Sequence, residues 1–224
     1  MLPQKEYYEA PSAALWQGRK DSLPNERFFQ TVKLIDLNTQ TIPDTGKGTI
    51  IIGFGSDEGV RRNEGRIGAR IGPDEIRRQL GKLASHYAKP LIDIGNIVCH
   101  DMQLESAQEQ FATIITHCQQ LGYKTIALGG GHEIAWAHYQ GLAPVYSDIG
   151  IINFDAHFDL RPKKPSATSG TPFWQIQQYC KTHSLNFNYC CLGVQSAANT
   201  KTLFDSAHEH QVSYLSADEM MEES

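Results

Sequence analysis

The chain has 224 residues, 40% hydrophobic and 20% charged, with a formal net charge of −5. That length supports one sizeable core, and the acidic balance excludes nucleic acid as the main partner, because phosphate binding needs a concentrated basic surface. No apolar run approaches a bilayer span, and Met1 to Ala10 is polar and tyrosine-rich, unlike a secretory signal, so no membrane partner and a cytoplasmic location are expected.

Residues 1–48 read as an N-terminal arm with short helical pieces, punctuated by Pro24-Asn25 and Pro43-Asp44. A single α/β domain is expected over residues 49–224. Thr49 to Phe54 (TIIIGF) is a short apolar run that predicts a buried strand. A loop rich in glycine and arginine spans Gly55 to Gly72. Pro73 opens a predicted amphipathic helix through Asp74, Glu75, Ile76, Leu80 and Leu83. Leu91 to Ile94 predicts a second strand, and Glu105 to Leu121 a helix with Gly122 as its cap. Thr125 to Leu128 predicts a strand running into Gly129-Gly130-Gly131, followed by a helix over Ile134 to Gly141. Strands are predicted at Ile149 to Phe154, Tyr189 to Val194 and Val212 to Leu215, with helices around Phe173 to Cys180 and Thr200 to His210. Ser216 caps a last helix start.

Alternating strands and helices predict a mainly parallel central sheet with helices on both faces. A parallel sheet ending at Leu215 leaves an apolar edge uncovered. Chemistry in such sheets gathers where loops leave the carboxyl ends of the strands. The five cysteines (Cys99, Cys118, Cys180, Cys190 and Cys191) are odd in number and match no zinc spacing. They are expected as buried thiols, with Cys190 and Cys191 on opposite faces of one strand.

The densest motif is Asn153-Phe154-Asp155-Ala156-His157-Phe158-Asp159, at a predicted strand end. In an extended chain, residues two apart share a face, so Asp155, His157 and Asp159 are expected to converge. Two carboxylates and an imidazole held together resist burial unless a cation joins them. The second motif, Gly129-Gly130-Gly131-His132-Glu133, places His132 at the same sheet edge. Each motif alone also fits a solvated loop or a helix cap; together they give a sulfur-free set of two imidazoles and two carboxylates. Carboxylate with imidazole suits manganese, and two ions sharing a carboxylate lower the pKa of a shared water, which is hydrolase chemistry.

These two motifs resemble those of the arginase (ureohydrolase) family, which carries G-G-x-H, here Gly130-Gly131-His132, and D-A-H-x-D, here Asp155 to Asp159. The resemblance implies an arginase-like three-layer α/β sandwich and two Mn²⁺ ions per complete active site. His132 and Asp159 would hold one ion, His157 the other, and Asp155 both, with Asp159 also helping to carry a proton to the leaving amine. Three stretches resemble the formimidoylglutamase branch: Gly59 to Ala69 leading to Gly72-Pro73, Asp159-Leu160-Arg161-Pro162, and Thr168 to Phe173. In that last stretch arginases carry a catalytic histidine at about the place of Phe173. The branch implies a small-molecule substrate, N-formimidoyl-L-glutamate, cleaved to L-glutamate and formamide in histidine degradation. Its carboxylates suit bidentate guanidinium groups, and Arg161, Arg62 and Arg66 are the candidates, while Arg77 and Arg78 read as solvated or helix-pairing. The family also suggests a homo-oligomer.

The family's later S-x-D-x-D ligand segment has no counterpart in the 224 residues, so the last part of the fold is expected to be missing. Two alternatives therefore stand beside the main reading. One is an arginase, agmatinase or guanidino-acid hydrolase, which would need acidic side chains at the pocket mouth. The other is an inactive fragment that binds metal weakly or serves as an assembly partner.

Overall fold

Every residue of Thr49–Gly55 is buried as strand β3 in the computed structural model, which describes residues 4–86 and 89–222. Alternation explains this. Ile50, Ile52 and Phe54 enter one apolar cluster, while Ile51 enters a second with Leu15, Trp16 and Leu128, so both faces of the strand are covered. The first segment supplies β1 (Tyr8–Glu9), α1 (Phe28–Thr31) and β2 (Lys33–Leu34). The start of the expected arm, residues 1–3, lies outside the described residues.

Parallel neighbours flank β3: β4 (Leu91–Val98) on one side and β5 (Lys124–Gly129) on the other. Both short strands join β4, β1 antiparallel and β2 parallel. A second, wholly parallel sheet runs β6 (Gly150–Phe154), β7 (Asn188–Val194) and β8 (Ser213–Ser216). The expected sheet is thus divided in two, and β5 and β6, consecutive in the chain, are both edges. Their outward side chains Ile126, Ile152 and Phe154 are 44%, 67% and 76% exposed. Exposed apolar side chains lie at those two edges; β8 is an edge as well, with Leu215 half-buried.

Helices α2 (Glu58–Arg62), α3 (Gly72–Leu80), α4 (Leu104–Gln120), α5 (Ile134–Leu142), α6 (Pro172–Thr182), α7 (Lys201–Glu209) and α8 (Ala217–Glu222) complete the fold. Helix α4 buries Ala107, Phe111, Ile114, Ile115 and Cys118 at helical spacing and stops before Gly122, whose φ of 81° suits a residue without Cβ. At α8, the Ser216 hydroxyl accepts from Glu219 N while the Glu219 carboxylate accepts from Ser216 N, a reciprocal cap. No helix among the described residues is long and apolar enough to cross a membrane. All five cysteines are free thiols, with Cys191 buried and Cys190 half-buried as opposite faces of β7 require.

Helix α3 departs from expectation. It ends at Leu80, leaving Leu83 outside and exposed, and it buries Arg77 rather than Ile76. The Arg77 guanidinium donates twice to the Asp93 carboxylate and also to Asn96 Oδ1 and Gly95 O, while Trp16 Nε1 and Gly95 N donate to the same carboxylate. Such a pair is tolerated because every charged atom is bonded. Asp93→Ala leaves a buried guanidinium uncompensated and is expected to cost about 3–5 kcal/mol in urea unfolding. A loss within measurement error would mean that solvent reaches Arg77.

Candidate metal centre

The loops after β5 and β6 meet across the division between the sheets. His132 Nδ1 lies 2.7 Å from Asp159 Oδ2 and 3.3 Å from Asp155 Oδ2. His132, Asp155 and Asp159 form a group able to offer three ligand atoms to one metal ion. Burial disfavours the charged His132 ring, but the bond to Asp159 and the charges of Asp159 and Asp155 outweigh it, so its pKa is raised. A proton would therefore compete with any divalent cation at this cluster.

The convergence arises differently from strand alternation. Asp159 has a φ of 47°, a left-handed conformation that aspartate tolerates better than most residues, and the turn brings its carboxylate back toward Asp155. His157 stands outside the group of three and is half exposed; its backbone N and ring Nδ1 both meet Asp155 Oδ1, at 2.9 and 3.2 Å. The two oxygens of Asp155 thus face two different imidazoles. Strand β7 and its following turn anchor the loop: Leu192 O accepts from Asp155 N, the Cys191 thiol donates to His157 O, and Tyr189 OH donates to Phe158 O. Asn199 brackets it with bonds to Phe158 N and Ala156 O. Phe173 is buried, stacked on Tyr189, with its ring edge-on to His132 at 5.5 Å, so a hydrocarbon stands beside the ligand cluster there.

Glu133 had no role assigned from sequence, yet it organises the other side. It is fully buried, accepting from Ser56 Oγ at 2.9 Å and from Gly59 N at 3.0 Å. A Cβ at Gly59 or Gly131 would collide with its carboxylate, which is a steric reason for both glycines. Burial raises its pKa. The sequence signal was the glutamate directly after the G-G-G-H run.

The candidate arginines separate. Arg62 donates to Glu58, to both oxygens of Glu105, and to the carbonyls of Met102 and Ala167. All five of its N–H groups meet protein acceptors, so Arg62 clamps α2 to α4 and to the loop before α6. Helix α2 itself lies in what the sequence reads as a loop. Arg66 is exposed and makes no ion pair among the described residues. Arg161 is exposed two residues beyond Asp159, with Nη1 3.3 Å from Asn63 Oδ1.

Residues 47–224 match the sequence profile of the Arginase family. The chain is 52% identical over 219 residues to a formimidoylglutamase of Legionella pneumophila strain Philadelphia 1, covering 97% of this chain and 68% of that protein. It is 44% identical over 216 residues to a formimidoylglutamase of Vibrio vulnificus strain YJ016, covering 63% of it. Among solved structures it resembles Trypanosoma cruzi formiminoglutamase with Mn²⁺, with a TM-score of 0.73 at 26% identity over 82% of this chain and 65% of that one. The chain therefore spans roughly two thirds of the length of these relatives.

Proposed function

Because the chain belongs to the arginase family, we propose that it forms the larger part of a formimidoylglutamase, a hydrolase that cleaves N-formimidoyl-L-glutamate to L-glutamate and formamide in histidine breakdown. The observation that carries the reading is the carboxylate of Asp155, whose oxygens meet His132 on one side and His157 on the other. A nitrogen and oxygen donor set without thiolate fits manganese. His132 and Asp159 would hold one Mn²⁺, His157 a second, and Asp155 both. When bound, the metal supplies Lewis-acid activation of water at neutral pH.

The remaining chemistry belongs to the chain. Water oxygen adds to the amidine carbon, and the bond from that carbon to the glutamate nitrogen breaks. Asp159, 2.7 Å from the His132 ring, takes a proton and returns it to the departing nitrogen. Phe173, edge-on to His132, has no ionisable proton, so transfer falls to the carboxylate. Arg161 holds a substrate carboxylate; an exposed arginine beside the metal ligands disfavours cationic arginine and agmatine.

The test uses an enzyme with the full length of the curated relatives. Activity removed by chelation is expected to return best with Mn²⁺, and formimidoylglutamate to be turned over in strong preference to arginine and agmatine. Full recovery with Zn²⁺ and none with Mn²⁺ rejects the ligand set, whereas good turnover of arginine rejects the substrate.

A further inference from the structure

We propose that Asn63 is a specificity-determining residue, forming with Arg161 a hydrogen-bond-donor patch for the carboxylate of an anionic substrate; this deepens the reading above and rests on it. Asn63 follows α2, where its backbone N donates to Gly59 O and Val60 O. Its side-chain Oδ1 accepts from Arg161 Nη1 at 3.3 Å and from Thr168 Oγ1 at 3.4 Å. A guanidinium can only donate, so the amide oxygen must face Arg161 and the amide NH₂ must point away from it. With Oδ1 serving two donors, that NH₂ has no hydrogen-bond acceptor among the described residues. It lies on the Gly170 side of the amide, 3.6 Å from where a Cβ at Gly170 would stand.

The surroundings preserve this arrangement. Gly170 leaves the space: a Cβ there would lie 3.3 Å from Asn63 Oδ1 and 3.4 Å from Arg161 Cδ. Gly170 O accepts from Arg161 N, and Gly170 N donates to Thr168 Oγ1. Ser169 N donates to Gly59 O, and Arg62 holds Ala167 O. Through Gly59 N the same helix is pinned to Glu133, the residue after His132. The Asn63–Arg161 pair is therefore fixed relative to the metal ligands through a continuous set of bonds. An arginine on an exposed loop would otherwise lose rotamer freedom on binding; Asn63 limits that loss and adds a neutral donor. A carboxylate fits such a patch, and a cation does not.

The experiment measures KM and kcat for Arg161→Ala, Asn63→Ala, Asn63→Asp and the Asn63→Ala/Arg161→Ala double variant in the full-length enzyme. Bound metal and melting temperature are followed in parallel. Arg161→Ala is expected to raise KM for formimidoylglutamate by about 10- to 100-fold. Asn63→Ala is expected to raise it about tenfold with kcat and metal content unchanged, and the double variant by less than the product of the two. Asn63→Asp pairs with Arg161 and turns a donor into an acceptor, so it should weaken anion binding more than Asn63→Ala while leaving stability intact. An unchanged KM in Arg161→Ala overturns the underlying substrate reading. A raised KM in Arg161→Ala with unaffected Asn63 variants, or strict multiplicativity of the two, overturns the role of Asn63 alone. A fall in metal content or melting temperature that accounts for the Asn63 effects makes its role structural and also overturns the proposal.

Discussion

Asp155→Ala is expected to lower turnover of the full-length enzyme by about 10³-fold or more and to strip its metal. Metal activation contributes several kcal/mol to a hydrolytic step, and each ~1.4 kcal/mol is a factor of ten in rate. Asp155 carries one of two carboxylates in the ligand cluster and faces both imidazoles, so its loss affects every neighbour at once. The fold should survive, because the backbone there is held by Leu192 O and Asn199 rather than by the Asp155 side chain alone. Asp205→Ala, which removes an exposed carboxylate paired with Lys201, serves as the matched control. Turnover within tenfold of the parent, with metal content unchanged, would remove Asp155 from the centre.

A polypeptide of residues 1–224 alone is expected to hold at most one divalent ion, weakly, and to release negligible formamide. Its candidate ligands are His132, Asp155, His157 and Asp159, with two carboxylates between them. Two divalent ions would set four positive charges against two negative ones at close range, an imbalance that desolvation makes worse. In the structure only three of these side chains converge as one group, with His157 at its edge. Elemental analysis after exhaustive dialysis, together with formamide detection, decides the matter. Two tightly bound ions per chain, or turnover near that of the full-length enzyme, would falsify the charge argument.

Much of the framework was legible because the hydrophobic pattern was decisive where burial was complete. Thr49 to Phe54 and Phe111 to Cys118 could be read directly, and the two motifs placed His132, Asp155 and Asp159 at strand ends. What escaped depends on tertiary contact. Tyr8–Glu9 and Lys33–Leu34 are strands because β4 offers them a partner, not because their own residues are periodic. Arg77 looks like any surface helix arginine until Asp93, sixteen positions away, accepts it in the core. Arg62 and Arg161 are equal as letters and opposite in circumstance. One has every donor consumed by protein acceptors, whereas the other stands exposed beside Asn63. Asn63 and Glu133 drew no attention because their importance lies in which atoms they face.

The division of the sheet gives the ligand cluster a mechanical meaning. His132 hangs from β5, and Asp155 and Asp159 from β6, strands that share no backbone hydrogen bond. The two halves meet through helix packing, through this cluster and through the bonds that join α2 and Asn63 to the loop before α6. Each sheet with its helices is expected to open as its own foldon. An ion held by His132 and the two aspartates would tie them together, and its binding would be linked to their cohesion by RT ln(1 + [L]/Kd), about 2.7 kcal/mol at a hundredfold excess over Kd. Amide exchange across β6, β7 and β8 is therefore expected to slow when a divalent cation binds beyond their ends, which would make the ion a rivet as much as a reagent.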